Sequence, residues 1–381
     1  GPSSSRHSKR YVGARALSSR RHAVASRVVL GRFPDVIIEQ LQQRLFSRAV
    51  APLELFFDLV FVFAIGQLSH YLTENLNWRG LAETLVLLVG VFGVWSYTSF
   101  EVTLAHARRA HVQRVMLAVM AIGLFMNAAI THAFDDRPLA FVFPMLLIQI
   151  GRTALSAIPS APTPLLRKQY TIVLRWQLLS APLWIAGALA DSEARFWLWV
   201  AAATLDLAGT WLAHPWPGRK LMSQHVAFDG EHMLERLRLF LIIALGEVVL
   251  TSGRAIAGAQ VDWMVFMSGA FALAILVSLW AVYFSGSDRL VTDHFDRTND
   301  QILAARLGIN GMVVIVAGLV TLAVANEIAI AHPIERPSPF LAVLMSGGAV
   351  AYLLTQVWYL RFVTGRIPRS RVAGVFALVA A

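Results

Sequence analysis

Glu54 and Asp58 stand four residues apart inside an apolar block, so on a helix they share one face. A charge at the centre of a bilayer costs about 2.5–3.5 kcal/mol even on a lenient insertion scale, so such residues call for a partner or a wet cavity. Other apolar blocks carry more of them. Glu101 falls on a stripe with Tyr97 and Arg108, Arg152 follows Gln149, and Asp206 lies four before Thr210. His232, Arg236, Glu247 and Arg254 fall on one helical face with Glu235 beside it, and Asn310 and Glu327 occupy a later block. A carboxyl in apolar surroundings can exchange a proton, bind a cation or, kept protonated, act as an acid, and a nearby arginine tunes which. An Asp–Arg or Glu–Arg pair can equally do no more than lock two helices. The histidines near block ends, His70, His106, His132 and His214, read as interfacial, and Asp135-Asp136 as loop charges.

The absence of Cys removes disulfides, thiolate metal sites, iron–sulfur clusters and Cys nucleophiles together. There is no Walker pattern, no His-Glu-x-x-His and no Gly-x-Ser-x-Gly elbow, so the sequence points to no cofactor, no metal and no assigned catalytic residue. A net charge of +10 would suit nucleic acid, but the basic residues sit between apolar blocks and in the first fifty positions. Membrane lipids are the expected partners and nucleic acid is not.

The elements that carry these residues are transmembrane helices. Apolar residues make up 57% and charged residues 15% of the 381, far from the balance of a soluble domain. The apolar residues come in blocks of membrane-spanning length at 52–72, 80–104, 111–134, 138–158, 170–190, 195–213, 233–253, 262–284, 303–328 and 338–362, with an eleventh beginning near 372. The expected fold is an all-α polytopic transmembrane bundle of about ten complete spans plus a partial eleventh. Breaks holding one basic residue (Arg79, Arg137, Arg195, Arg254, Arg336) alternate with breaks holding two or more, and the first fifty residues hold ten. The positive-inside rule then puts the N-terminus in the cytoplasm.

Residues 1–32 read as a disordered basic arm that opens with a tag-removal scar, residues 33–48 as an amphipathic interfacial helix, and 50–381 as the membrane domain. Ala64-Ile65-Gly66-Gln67-Leu68 is similar to Ala244-Leu245-Gly246-Glu247-Val248, an echo that a parallel six-helix repeat would produce and that chance also produces. With this orientation Glu54, Asp58, Glu101, Arg152, Asp206, Glu235, Arg236 and Asn310 lie toward the cytoplasm. The expectation is a polar cavity open to that side, with Glu247 near its floor.

Two strings carry a family resemblance. One is Glu54-Leu-Phe-Phe-Asp58-Leu-Val-Phe-Val-Phe-Ala64, and the other runs Glu235-Arg236 to Leu245-Gly246-Glu247. With Trp280 and Tyr283-Phe284, they make the chain from residue 50 onward resemble the bacterial low-temperature-requirement A family, LtrA. Val248 stands where that family has a small hydroxyl residue. The resemblance implies site positions at Glu54, Asp58, Glu235, Arg236 and Glu247 and a multi-pass protein of a bacterial inner membrane. It implies no chemistry.

Three functions fit the residues. A proton- or cation-coupled transporter of a small solute would use the charged interior. An intramembrane enzyme acting on a lipid or isoprenoid would use a protonated carboxyl as acid. A structural or sensory protein would use the same charges as locks. A small-molecule or ion ligand fits the first two, and the sequence leaves oligomeric state open.

Overall fold

The computed structural model describes residues 50–105, 110–157, 164–215, 228–260, 262–284, 287–298, 300–333 and 338–380. The basic arm and the amphipathic helix expected at 33–48 lie outside these residues. The helices are α1 (Pro52–Glu74), α2 (Trp78–Ala105), α3 (Ala110–Ala128), α4 (Pro138–Ala157), α5 (Pro164–Leu189), α6 (Ser192–Trp211), α7 (Gly230–Gly258), α8 (Trp263–Phe284), α9 (Ser287–Arg297), α10 (Gln301–Ala331), α11 (Pro339–Thr364) and α12 (Arg369–Ala380). No strand occurs among the described residues.

Local chemistry starts and stops these helices. Pro52, Pro138, Pro164 and Pro339 occupy first turns, where a missing N–H costs nothing. Asp191 accepts from the N–H groups of Glu193 and Ala194 at 3.1 and 3.0 Å, and Asp229 from that of His232 at 2.9 Å. Gly365, with φ +69°, ends α11 in the left-handed region open to glycine.

Nine helices among the described residues are long and apolar enough to cross a membrane, so this is a multi-pass membrane protein. α6, on the sixth expected span, has 20 residues but carries Glu193, Arg195 and Asp206 and is not among those nine. It packs between α5 and α2. α12, on the partial eleventh, is 12 residues long.

α1 touches α2, α3, α7 and α10, which makes it the axis of the bundle. α10 lies against α11 and α7, and α4, α5 and α6 pack in sequence. α1 and α7, the two helices with the echoed strings, run side by side in the same direction. Glu54 meets His232 and Asp58 meets Arg236, both 178 residues apart, and Gly66 faces Glu247 further along.

Candidate functional site

The expected site residues fall into separate places. The first is the inner part of the α1–α7 seam. Glu54, Asp58 and Arg236 have no exposed side-chain surface. An Arg236 N–H donates to Asp58 Oδ1 at 2.7 Å, and the guanidinium stands 3.7 Å from Glu54 Oε1. His232 Nε2 is 3.0 Å from the same Glu54 oxygen, Trp95 Nε1 donates to Asp58 at 2.8 Å, and Glu54 also accepts from the Ala51 N–H at 2.8 Å. Helical spacing explains the set: 54/58 and 232/236 each advance by four, so two short ladders meet rung to rung. This cluster is buried and ion-paired, and it lines none of the cavities described below.

The second place is a cavity of about 120 Å³ at the opposite face of α2. The Trp95 ring and the Ser99 backbone carbonyl face the seam, while Tyr97, Phe100 and Glu101 line the cavity. Its other walls come from the ends of α4, α5, α6 and α10 that the charge alternation assigns to the cytoplasm. Glu101 pairs with Arg152 and accepts from Ser156. The Tyr97 hydroxyl and His214 Nε2 are 2.7 Å apart. Asn310 lines the same space, and its amide donates weakly to the Thr210 carbonyl at 3.5 Å.

His214 corrects an expectation. It is 8% exposed and lies inside the bundle rather than at the interface. The cause is backbone geometry: Ala213 and His214 adopt φ of +61° and +51°, two successive left-handed residues without glycine. Each such residue costs about 1–2 kcal/mol, and such strain concentrates at functional sites. Ala213→Gly should therefore stabilise the fold by about 1 kcal/mol, read as a raised thermal unfolding midpoint in detergent. A lowered midpoint would show that the turn is unstrained.

The third place holds Glu247. It lies eleven residues beyond Arg236, or about 16 Å along α7. It lines a cavity of about 480 Å³ with Gln67, His70, Arg254 and Glu327, all toward the other ends of their helices. Arg254 Nη1 is 3.7 Å from its Oε1. A Cβ at Gly66 would sit 2.5 Å from that oxygen, so any larger residue there would push the flexible carboxylate aside. Between the inner cluster and Glu247, α1 and α7 carry the buried apolar residues Phe61, Ile65, Phe240 and Ala244. Glu247 is thus separated from the cavity whose floor it was expected to form.

Two expected residues join none of these groups. Asp206 accepts from Trp184 Nε1 at 2.9 Å and ties α6 to α5. Glu235 is on the outside of α7, where Arg238 pairs with it at 3.0 Å. Sequence reasoning also passed over Arg306, which lines the small cavity. It had counted only as one basic residue in a cytoplasmic break, and nothing in its spacing marks it.

The chain matches the family model described as "Bacterial low temperature requirement A protein (LtrA)" over residues 49–381. It is similar to the uncharacterized protein RA0937 of Rhizobium meliloti (strain 1021), at 30% identity over 336 residues, which covers 86% of this chain and 81% of that one. No solved structure matches it.

Proposed function

The chain belongs to the bacterial low temperature requirement A family, and from that premise we propose that it is a proton- or cation-coupled carrier of a small solute in the bacterial inner membrane. One observation carries this reading: two cavities holding charged side chains lie toward opposite ends of the bundle, with buried residues of α2, α7 and α10 between them. A carrier that alternates access needs a space reachable from each side and a barrier between. The Glu101–Arg152 cavity is the cytoplasmic space, the Glu247 cavity is the outer one, and the buried middle of α10, which borders both, is part of the barrier.

In this reading Glu247 is the coupling group. An ionisable residue inside a membrane is most economically explained by an ion or proton path. Arg254 approaches only to 3.7 Å and is largely exposed, so the carboxylate is not consumed by a tight internal pair. The Asp58–Arg236 cluster has the opposite character and serves as the fixed joint about which the helices rock.

The test is flux. The full chain is reconstituted in proteoliposomes containing a trapped pH dye, and a panel of small carboxylates, amino acids and sugars is offered under proton, sodium and potassium gradients. The expected result is saturable, protein-dependent flux driven by one gradient and reduced about tenfold or more in Glu247→Gln. Unchanged flux in that variant would remove Glu247 from coupling. No flux under any gradient would sink the carrier reading.

A further inference from the structure

The cytoplasmic cavity holds two arginines in different situations. Arg152 is committed to Glu101. Arg306 is half-buried, its Nε is buried without a hydrogen-bond partner, and no carboxylate among the described residues comes within ion-pair distance of it. Asp300, the nearest carboxylate on the same helix, caps α10 by accepting from the Leu303 N–H at 3.1 Å. With Glu101 and Arg152 cancelling, and Asp300 acting on Arg306 from outside the lining, the cavity wall itself carries one surplus positive charge. The half-buried guanidinium has lost part of its hydration, and an anion brought to it inside the cavity is attracted in a medium that screens less than water.

The neighbours of Arg306 suit the head of such an anion. Asn310 is one turn further on the same face of α10. His214 is close enough to Arg306 to feel its charge, and its ring is held by Tyr97. The remaining wall is apolar, including Phe100, Leu104, Leu166, Val173 and Ile302. A small space with apolar walls and a few convergent polar groups fits an amphiphilic ligand. One uncommitted guanidinium fork matches a planar carboxylate in geometry and charge. A two-chain lipid would not fit in about 120 Å³.

We propose that this cavity binds a small organic monocarboxylate, with its carboxylate on Arg306 and Asn310 and its hydrocarbon body against Phe100, Leu104 and Val173. That this anion is the transported solute rests on the carrier reading above; the binding site itself does not.

The experiment measures equilibrium binding of radiolabelled benzoate and butyrate to the full chain in lipid nanodiscs, with benzamide, butyramide and inorganic phosphate as competitors. Both acids should bind saturably, while the amides and phosphate compete at least about tenfold more weakly. Arg306→Gln should weaken the acids at least about tenfold, and Arg306→Lys should weaken them less. Val173→Trp, which fills the body of the cavity and leaves every charge in place, should also abolish binding, and thermal unfolding verifies that each variant is folded. Equal binding of acid and amide, or acid binding that survives Arg306→Gln in a folded variant, overturns the proposal. Acid binding without flux in proteoliposomes keeps this site and sinks the carrier. Flux of other solutes with no acid binding does the reverse.

Discussion

Arg236→Met should cost about 3–5 kcal/mol of stability, because it strands two carboxylates in a place that water does not reach. Glu54 and Asp58 have no exposed side-chain surface, and Arg236 is the only arginine that either meets among the described residues. Methionine has similar length and fills similar volume, so the loss is electrostatic rather than a cavity. Asp58 would keep one donor, Trp95, and Glu54 would keep His232 and the Ala51 N–H. The readout is the thermal unfolding midpoint and the fraction of monodisperse protein in detergent. Adding Asp58→Asn to Arg236→Met should recover much of the loss, since a neutral amide no longer needs the cation. Arg254→Met is the contrasting variant: the Arg254 side chain is 69% exposed and should be nearly silent in stability. If Arg236→Met unfolds at the wild-type midpoint, the cluster is not the joint described here.

The second large effect is steric. Gly318 on α10 and Gly348 on α11 bring two backbones together without side chains between them. A Cβ at position 318 would lie 2.6 Å from the Gly348 carbonyl oxygen, and one at 348 would lie 2.6 Å from the Gly318 oxygen and 2.4 Å from Thr321 Oγ1. Backbone atoms cannot step aside as a flexible side chain can, so the helices themselves would have to separate. Lipid supplies no hydrophobic drive to hold them together, and close packing between small residues is what holds such pairs. Gly318→Ala should therefore cost about 1–3 kcal/mol, and Gly318→Leu should prevent recovery of folded protein. Gly253→Ala is the control, because nothing lies within 4 Å of its would-be Cβ and alanine favours a helix. Equal midpoints for Gly318→Ala and Gly253→Ala would mean that α10 and α11 do not meet as described.

These predictions rest on features that were unequally legible in the sequence. Membrane insertion is a property of each helix alone, so length and hydropathy sufficed for the spans at α1 to α5, α7, α8, α10 and α11. The cost of a buried charge is also local, and it singled out Asp58, Arg236 and Glu247 without reference to any neighbour. Family membership was readable as well, because it lies in two contiguous strings, Glu54 to Ala64 and Glu235 to Glu247.

Pairing was not local, and only the tertiary structure decided it. Which carboxylate meets which arginine depends on how each helix is rotated and which helix stands beside it. Glu101 goes to Arg152 on α4, Asp58 to Arg236 on α7, and Glu235 to Arg238 on its own helix, although all three are acids on apolar helices. α2 divides its residues between two compartments within a single turn, with Trp95 toward the seam and Tyr97 toward the cavity. No periodicity announces which neighbour lies on which side. His214 enters the bundle through two left-handed residues that no turn motif signals. Arg306 looked like one more charge in a cytoplasmic break until five helices closed around it. The sequence determined that this protein lives in a membrane and which residues are too costly to be idle there. The packing decided that they divide between a buried ion-paired cluster and two separate cavities, because charges find partners through space while hydrophobicity acts along the chain.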